Sequence, residues 1–394
     1  MIVNSPYATT AVRSLSMPSY QLCTRCVMDV TAKDIVFDEE GRCNYCTAFL
    51  RGMEGSEARA ADSQYHCDEL ISTIKATGKG KEYDCIVGVS GGVDSSYALY
   101  LAVKHGLRPL AVHLDNGWNS ELASHNIANL VNSLGVDLYT HVINWEENRD
   151  LQLSFFKANV VDIELLMDNA MLALNYQQAA KHRVQHMLLG YNQATEGMAI
   201  PPRWINYKRD VYNIRQIHKR FGSVPIKTHP LLSTVDYLWY TYIRRIKELS
   251  FLDYFPYNKF EALELLQKKF GYKPYPYKHY ESVFTRFYQG YILPRKFGYD
   301  KRRVHLSNLI VSGQMTRDEA MRLLESSPYP DPEQEEQDRI FVMKKLGFSE
   351  DSFNQYMSAP EVPHRAYGSE EWLWGLLGSV ARTVRGSHSS NSKL

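Results

Sequence analysis

A buried run, Tyr83-Asp84-Cys85-Ile86-Val87-Gly88-Val89, leads without a break into Ser90-Gly91-Gly92-Val93-Asp94-Ser95-Ser96. From Ser95 to His105 the apolar residues Ala98, Leu99, Ala102 and Val103 share one helical face, and Gly106 stands where a C-terminal cap belongs. This is strand, glycine loop, helix, and the alternation continues. Pro109 to Leu114 reads as a second strand, Ser120 to Leu134 as a helix closed by Gly135, Leu138 to Ile143 as a third strand, and Met187-Leu188-Leu189 before Gly190 as a further one. Strands alternating with helices predict an α/β fold, a doubly wound parallel sheet with right-handed crossovers. Such sheets bind ligands beyond the carboxyl ends of their strands.

The loop fits an anion. Free amides at a helix N-terminus and the helix dipole attract phosphate oxygens, and glycines allow close backbone approach. Ser90, Ser95 and Ser96 add hydroxyls. Asp94 repels a bare phosphate and makes sense as the ligand of a bridging Mg²⁺. The Lys of the Walker A pattern is missing, and the spacing does not fit G-x-G-x-x-G.

Upstream, Cys23-x-x-Cys26 is followed after sixteen residues by Cys43-x-x-Cys46, a spacing expected of a four-thiolate zinc site. Four thiolates leave no open coordination position, so such a site is structural. An iron–sulfur cluster is the rival and disulfides the bland alternative. Cys67 and Cys85 read as packing residues.

The 394 residues carry 45 Lys+Arg against 44 Asp+Glu, with 44% hydrophobic and 23% charged residues, which argues against global disorder, a membrane span and a globally basic nucleic-acid binder. Met1 to Tyr20 lacks the basic and apolar regions of a secretory signal, so a cytoplasmic protein is expected. Two basic clusters stand out locally. One is Arg203, Lys208, Arg209, Arg215, Lys219, Arg220 and Lys227; the other is Arg295, Lys296, Lys301, Arg302 and Arg303. Either suits phosphate, and either is equally read as a solvated face. Beyond about Phe251 the pattern turns helical, with a helix over Glu261 to Phe270 and a capping box at Thr316-Arg317-Asp318-Glu319, stopped by Pro328 and Pro330. Asp331 to Asp338, with five carboxylates in eight residues, reads as a solvated linker or helix start and is assigned no function. The expected divisions are a leader at 1–20, a Cys₄ module at 21–65, the α/β domain at 66–250, a helical substrate or partner region at 251–386 and a tail at 387–394.

S-G-G-V-D-S-S after a strand resembles the PP-loop of the N-type ATP pyrophosphatases. The resemblance implies an adenine nucleotide alpha hydrolase-like sheet and cleavage of ATP between the α and β phosphates. It also implies that Asp115-Asn116-Gly117 borders adenosine and that Gly190-Tyr191-Asn192-Gln193 to Glu196 lies near ATP and metal. The order of parts narrows it further: the Cys₄ module, the PP-loop domain, then Gly271-Tyr272-Lys273-Pro274-Tyr275-Pro276-Tyr277 and Arg295 to Leu306 resemble the N-acetyl sugar amidotransferases of bacterial surface-polysaccharide and lipopolysaccharide O-antigen synthesis.

That likeness spans nearly the whole chain. It implies conversion of an acetamido group on a nucleotide-linked N-acetylamino sugar into an acetamidino group: the amide oxygen is adenylated, ammonia attacks, and AMP leaves. Ammonia would come from a separate glutaminase working with a cyclase-like partner. Accordingly, Ser90, Gly91, Gly92, Ser95 and Ser96 are expected to cradle the β and γ phosphates, Asp94 to hold Mg²⁺, and His113, Asp115 and Asn116 to border the nucleoside, with Gly190, Asn192 and Glu196 nearby. Asp94 and Ser95 carry the chemistry, with Lys208 or Arg209 neutralising the leaving pyrophosphate. Lys301, Arg302, Arg303 and His305 would bind the sugar nucleotide's diphosphate. The alternatives are a PP-loop tRNA-modifying enzyme of thiolation or lysidine type, against which the neutral charge counts, and a zinc-stapled scaffold that binds ATP without turnover.

Overall fold

The computed structural model describes residues 20–60, 63–276, 278–329 and 331–374, so the leader before Tyr20, the tail and Pro330 lie outside the described residues. Chain order begins with α1 (Asn44–Ala60), α2 (Ser63–Gly78), β1 (Cys85–Gly88), α3 (Val93–Lys104), β2 (Pro109–Asp115), α4 (Glu121–Leu134) and β3 (Leu138–Val142). It continues through α5 (Trp145–Ala158), α6 (Leu165–Lys181), β4 (His186–Leu189), α7 (Gln193–Glu196), α8 (Val211–Phe221), α9 (Thr234–Leu238) and β5 (Lys247–Ser250). The remainder is helical: α10 (Lys259–Phe270), α11 (Val283–Phe287), α12 (Arg302–Val311), α13 (Arg317–Glu325), α14 (Pro332–Leu346) and α15 (Glu350–Ser358).

The five strands pair in parallel in the order β3-β2-β1-β4-β5. The chain winds outward from β1 to β3, then returns through α5 and α6 to lay β4 on the other side of β1. The direction of winding therefore reverses between β1 and β4, where an open sheet leaves a crevice at its carboxyl edge. Alternation along the strands divides the core. Val87, Ala111 and Leu188 pack with Leu99, Leu130 and Leu266 of α3, α4 and α10, while Ile86, Leu110 and Met187 pack with Ala170 and Leu174 of α6.

Caps fix the helix starts. Ser120 Oγ accepts from Ala123 N at 3.1 Å, and Gly135 closes α4 with φ +62°. The expected capping box is present: Thr316 N donates to Glu319 Oε2 at 2.8 Å and Glu319 N to Thr316 Oγ1 at 3.3 Å. The acidic stretch is a helix start, with Asp331 capping α14 and Pro332 in its first turn. Asp338 departs from the solvated reading, because it is buried and takes two bonds from Arg286, at 2.6 and 2.8 Å. Between α11 and α12, Tyr288–Phe297 winds wider than an α-helix and contains Pro294.

A third core joins the cysteine module to α5, α8 and the C-terminal helices, drawing together Cys23, Phe155, Ile214, Phe287, Val342 and Phe353. Among the described residues no helix is long and apolar enough to cross a membrane.

Candidate active site and four-cysteine centre

The glycine loop sits at the carboxyl end of β1. Gly91 has φ +87°, a conformation that side chains resist, and a Cβ there would stand 3.1 Å from Ala123 O. Gly92 is the N-cap of α3 in extended conformation. The serines brace the turn: Ser90 N donates to Ser95 Oγ at 3.3 Å, and Ser95 Oγ donates to Gly92 O at 3.2 Å. Ser96 is buried in the helix body, its N–H bonded to Gly92 O. The hydroxyls of Tyr272 and Tyr275 donate to Gly91 O from outside, at 2.9 and 3.3 Å.

This loop forms one wall of a cavity of about 550 Å³. Asp94 in the first turn of α3 and Glu196 in α7 reach it from the two sides of the sheet's reversal point. Asn192 is fully buried and takes no part in the lining; its Oδ1 accepts from Thr195 N at 2.9 Å, which fixes the short turn presenting Thr195 and Glu196. Gly190 allows this turn to lie against α3, since a Cβ there would stand 2.7 Å from Ser95 N.

Between the two carboxylates lies the Lys278 ammonium, 2.9 Å from Asp94 Oδ2 and 2.8 Å from Glu196 Oε1. It also donates to Thr195 Oγ1 at 3.1 Å, and the Tyr257 hydroxyl donates to Asp94 Oδ1. Burial pushes the Asp94 carboxyl up, but the Lys278 and Lys259 ammoniums and the Tyr257 hydroxyl outweigh it and hold it at about 2. The oxygen set of Asp94, Glu196 and Thr195 suits a hard divalent cation.

The opposite wall comes from the C-terminal part, with Glu281, Gln289, Lys301, Arg302 and His305. Burial, together with the charges of His279 and Lys278, holds His305 well below the usual histidine range and keeps it neutral. Asp168 of α6 also faces the cavity; burial, with Glu164 and Asp162 adding to it against Lys208, raises its carboxyl.

The structure does not gather every expected residue here. Lys208 is 2.8 Å from Asp162 and 2.7 Å from Asp168, so its charge is spent on carboxylates. Arg209 is stacked 3.9 Å over the Tyr237 ring, next to Trp374, and does not line the cavity. His113 is held at both ring nitrogens, by Val89 O at 2.8 Å and Asn119 at 2.9 Å. Asp115 and Asn116 close a turn, accepting from Gly117 N and Trp118 N at 3.0 Å each, and also stand off the cavity.

In the 295–303 cluster each of the five cations has an internal partner, while Lys301 and Arg302 also line the cavity. Arg295 pairs with Glu335 at 2.6 Å, Lys301 with Glu164 at 3.0 Å, and Arg302 with Asp300 at 2.8 Å. Lys296 donates to Ala359 O at 2.6 Å. Arg303 turns away to the cysteine module, where it meets Asp29 at 3.1 Å and Val27 O at 2.9 Å. Residues that the sequence reading missed are Tyr257, Lys259, Lys278, His279 and Glu281; the only signal near Lys278 was the tyrosine-rich run ending one residue before it.

Cys23, Cys26, Cys43 and Cys46 are fully buried, and their sulfurs all lie within 4.8 Å of one another. Cys23 and Cys46 sulfurs are 3.8 Å apart, and those of Cys26 and Cys43 are 3.6 Å apart. Four sulfurs placed about 2.3 Å from one tetrahedral ion stand about 3.8 Å apart, so the set has the size of a single-ion centre, and a four-iron cluster would hold the thiolates further apart. Backbone N–H groups of Cys26 and Cys43 point at Cys23 Sγ, at 3.4 and 3.2 Å. Arg317 pins the first knuckle, donating to Cys26 O at 3.1 Å and Cys23 O at 3.0 Å.

A doubly wound parallel sheet, an S-G-G-V-D-S-S loop at its reversal point, a buried N-terminal four-cysteine cluster and a helical C-terminal region form the α/β class of fold that the PP-loop resemblance implies. The C-terminal part is more particular: residues 281–380 match the family described as "LPS biosynthesis protein WbpG-like, C-terminal domain". The sugar amidotransferase resemblance drawn from the sequence agrees with that match. No curated protein matches the chain.

Among solved structures, NMN synthetase from Francisella tularensis is similar at 19% identity and TM-score 0.28, covering 55% of this chain and 99% of its own. The NH3-dependent NAD synthetase from Campylobacter jejuni is similar at 16% identity and TM-score 0.28, covering 55% and 100%. A 4-thiouridine synthetase–RNA complex with bound ATP shows 14% identity and TM-score 0.28 over 67% of this chain and 53% of its own. Likeness at this level does not bear on the reaction.

Proposed function

We propose that this protein is an ATP-dependent, AMP-forming amidotransferase that converts the acetamido group of a nucleotide-linked N-acetylamino sugar into an acetamidino group. One observation carries the reading: the PP-loop and the WbpG-like segment face each other across a single cavity, so a phosphate donor and a sugar nucleotide can meet there. An amide oxygen is a very poor leaving group until it is esterified to AMP, and a loop that holds pyrophosphate supports that activation.

In this reading the α3 amides with Ser90 and Ser95 hold the β and γ phosphates. Asp94 and Glu196 hold Mg²⁺, which supplies charge neutralisation between the phosphates when bound. Lys259 and Lys278 add positive charge around the leaving pyrophosphate. Lys301, Arg302 and His305 bound the opposite end, where the sugar nucleotide would lie. Asp168, with its raised carboxyl, takes a proton from the attacking nitrogen. Zn²⁺ at the four cysteines is structural. Ammonia reaches the cavity from a separate glutaminase and its cyclase-like partner.

The test is incubation of the purified chain with Mg-ATP, ammonium and a panel of nucleotide-linked N-acetylamino sugars, following AMP by chromatography and sugar mass by spectrometry. Exchange of oxygen for NH lowers the mass by about one unit. AMP with that change supports the reading, and Asp94→Asn should abolish it with the fold intact. AMP without the change directs attention to another acceptor, with tRNA next, and ATP bound but never cleaved would favour a scaffold.

A further inference from the structure

Asp94 and Glu196 come from elements 102 residues apart, yet both carboxylates aim at one point, and the Lys278 ammonium fills it. The three side chains are mostly buried, at 15%, 26% and 10% exposed. Three oxygens meet the nitrogen within 2.8–3.1 Å, one for each of its N–H donors. A divalent cation would demand the same oxygens at shorter range, about 2.0–2.1 Å for Mg²⁺. Two cations cannot share that point, so the ammonium must leave when the metal enters.

The chain around Lys278 favours movement of the side chain alone, since the segment is pinned on both sides. Lys273 N donates to Asn126 Oδ1 at 2.9 Å, and Asn126 Nδ2 returns a bond to Lys273 O at 2.9 Å. Beyond Lys278, Ser120 N donates to Glu281 O at 2.9 Å and Val283 N to Trp118 O at 2.8 Å. A lysine stem has four carbons and can sweep its charge several ångströms without backbone motion. Its pair partner Asp94 lies in the first turn of α3, and Glu281 lines the same cavity, so a phosphate on the amides of that turn is an added anion within reach of a displaced ammonium.

We propose that Lys278 is a tethered cation that occupies the divalent-metal position between Asp94 and Glu196 in the free protein and passes to the nucleotide phosphates when the metal binds. This rests on the ATP and metal part of the proposed function and is independent of the sugar. It gives the two carboxylates a compensating charge without metal, and it couples the metal to the nucleotide: metal alone must evict the ammonium from three oxygens, whereas with nucleotide present the ammonium gains a phosphate.

The test is Mn²⁺ binding to the full chain without nucleotide, read from the electron paramagnetic resonance signal of free Mn²⁺. The wild type should bind weakly, Lys278→Met at least tenfold more tightly, and Lys278→Arg no more tightly than wild type. Without metal, Lys278→Met should bind α,β-methylene-ATP several-fold more weakly. A second measurement needs no variant. Acetylation mapped by mass spectrometry should label Lys278 slowly in the metal-free chain and several-fold faster once Mn²⁺ and α,β-methylene-ATP are both added and then the nucleotide is removed with Mn²⁺ retained in excess.

Equal Mn²⁺ affinity in wild type and Lys278→Met, including no binding in either, overturns the proposal, as does labelling indifferent to Mn²⁺. A chain that shows the Mn²⁺ shift but never forms amidinated sugar keeps the proposal and loses the amidotransferase reading.

Discussion

Gly190→Ala isolates the contact that brings the two halves of the site together. The added Cβ would stand 2.7 Å from Ser95 N, 2.9 Å from Ser95 Cα and 3.0 Å from the Asp94 carbonyl carbon. All three are backbone atoms of the first turn of α3, so no side chain can swing aside, and the closest contact falls about 0.7 Å short of ordinary van der Waals distance. Gly190 is not in the left-handed region, so the cost is steric alone. Overpacking of this kind costs about 1–3 kcal/mol, and a displacement below 1 Å at a positioning helix can cost up to about 10²-fold in function. Gly135→Ala is the control, because its surroundings are open and its φ is +62°, so it should cost about 1–2 kcal/mol through backbone strain only. Urea midpoints measure stability and calorimetry with α,β-methylene-ATP measures binding. Gly190→Ala should lose stability and at least tenfold in affinity, while Gly135→Ala loses stability alone. A Gly190→Ala chain that binds the analogue as tightly as wild type would refute the argument that this close approach sets the phosphate site.

Cys43→Ser should release the bound metal and most of the soluble protein, since a four-thiolate set without one sulfur no longer closes around its ion; metal analysis of the soluble fraction checks it, and a soluble, metal-free, active variant would overturn the structural role. Arg303→Ala removes the ion-pair partner of the buried Asp29 carboxylate, which keeps its bonds from Tyr20 and Thr31, and should cost about 1–3 kcal/mol with little change in KM for the sugar nucleotide; a tenfold rise in KM at unchanged stability would place Arg303 on the substrate. Burial pushes His186 and His229 down to about 4, so the unfolded chain takes up their protons first. Stability from this source is complete above about pH 6.5 and is lost as pH falls toward 4, at about 3 kcal/mol for each histidine. Urea midpoints at pH 7.5, 6 and 5 should fall in that order, and a flat profile would contradict it.

The sheet was readable because β1, β2 and β4 are buried along nearly their whole length and glycines punctuate them. Val87, Ala111 and Leu188 form apolar runs that end at Gly88 or Gly190 or enter a turn, and the helices between carry clear caps such as Ser120. β5 escaped for the opposite reason: Lys247 and Glu248 are exposed on an edge strand, so Lys-Glu-Leu-Ser has no apolar period to detect. The helix α6 escaped because it is buried nearly all round, from Leu165 to Ala179, and a helix without a polar face shows little periodicity.

The site divides along a similar line. What one local segment supplies, the PP-loop and the two CxxC knuckles, was legible because each does its work through neighbours in sequence. The charges were not, because a charge acts on whatever the fold brings opposite it. Arg295 to Arg303 reads as an anion site when taken as a cluster, but each cation has an internal partner that the sequence does not show, with Lys301 held by Glu164 and Arg303 by Asp29. Lys278 had no cluster to announce it, yet it lies against two carboxylates at the reversal point of the sheet. An isolated surface pair is worth at most about 1 kcal/mol, whereas a lysine enclosed between two buried acids is held firmly only while both remain unshared. That conditional grip is what separates Lys278 from the arginines pinning the cysteine module: Arg303 and Arg317 bond carbonyl oxygens that no ligand competes for, while the oxygens around Lys278 are the ones a metal would claim.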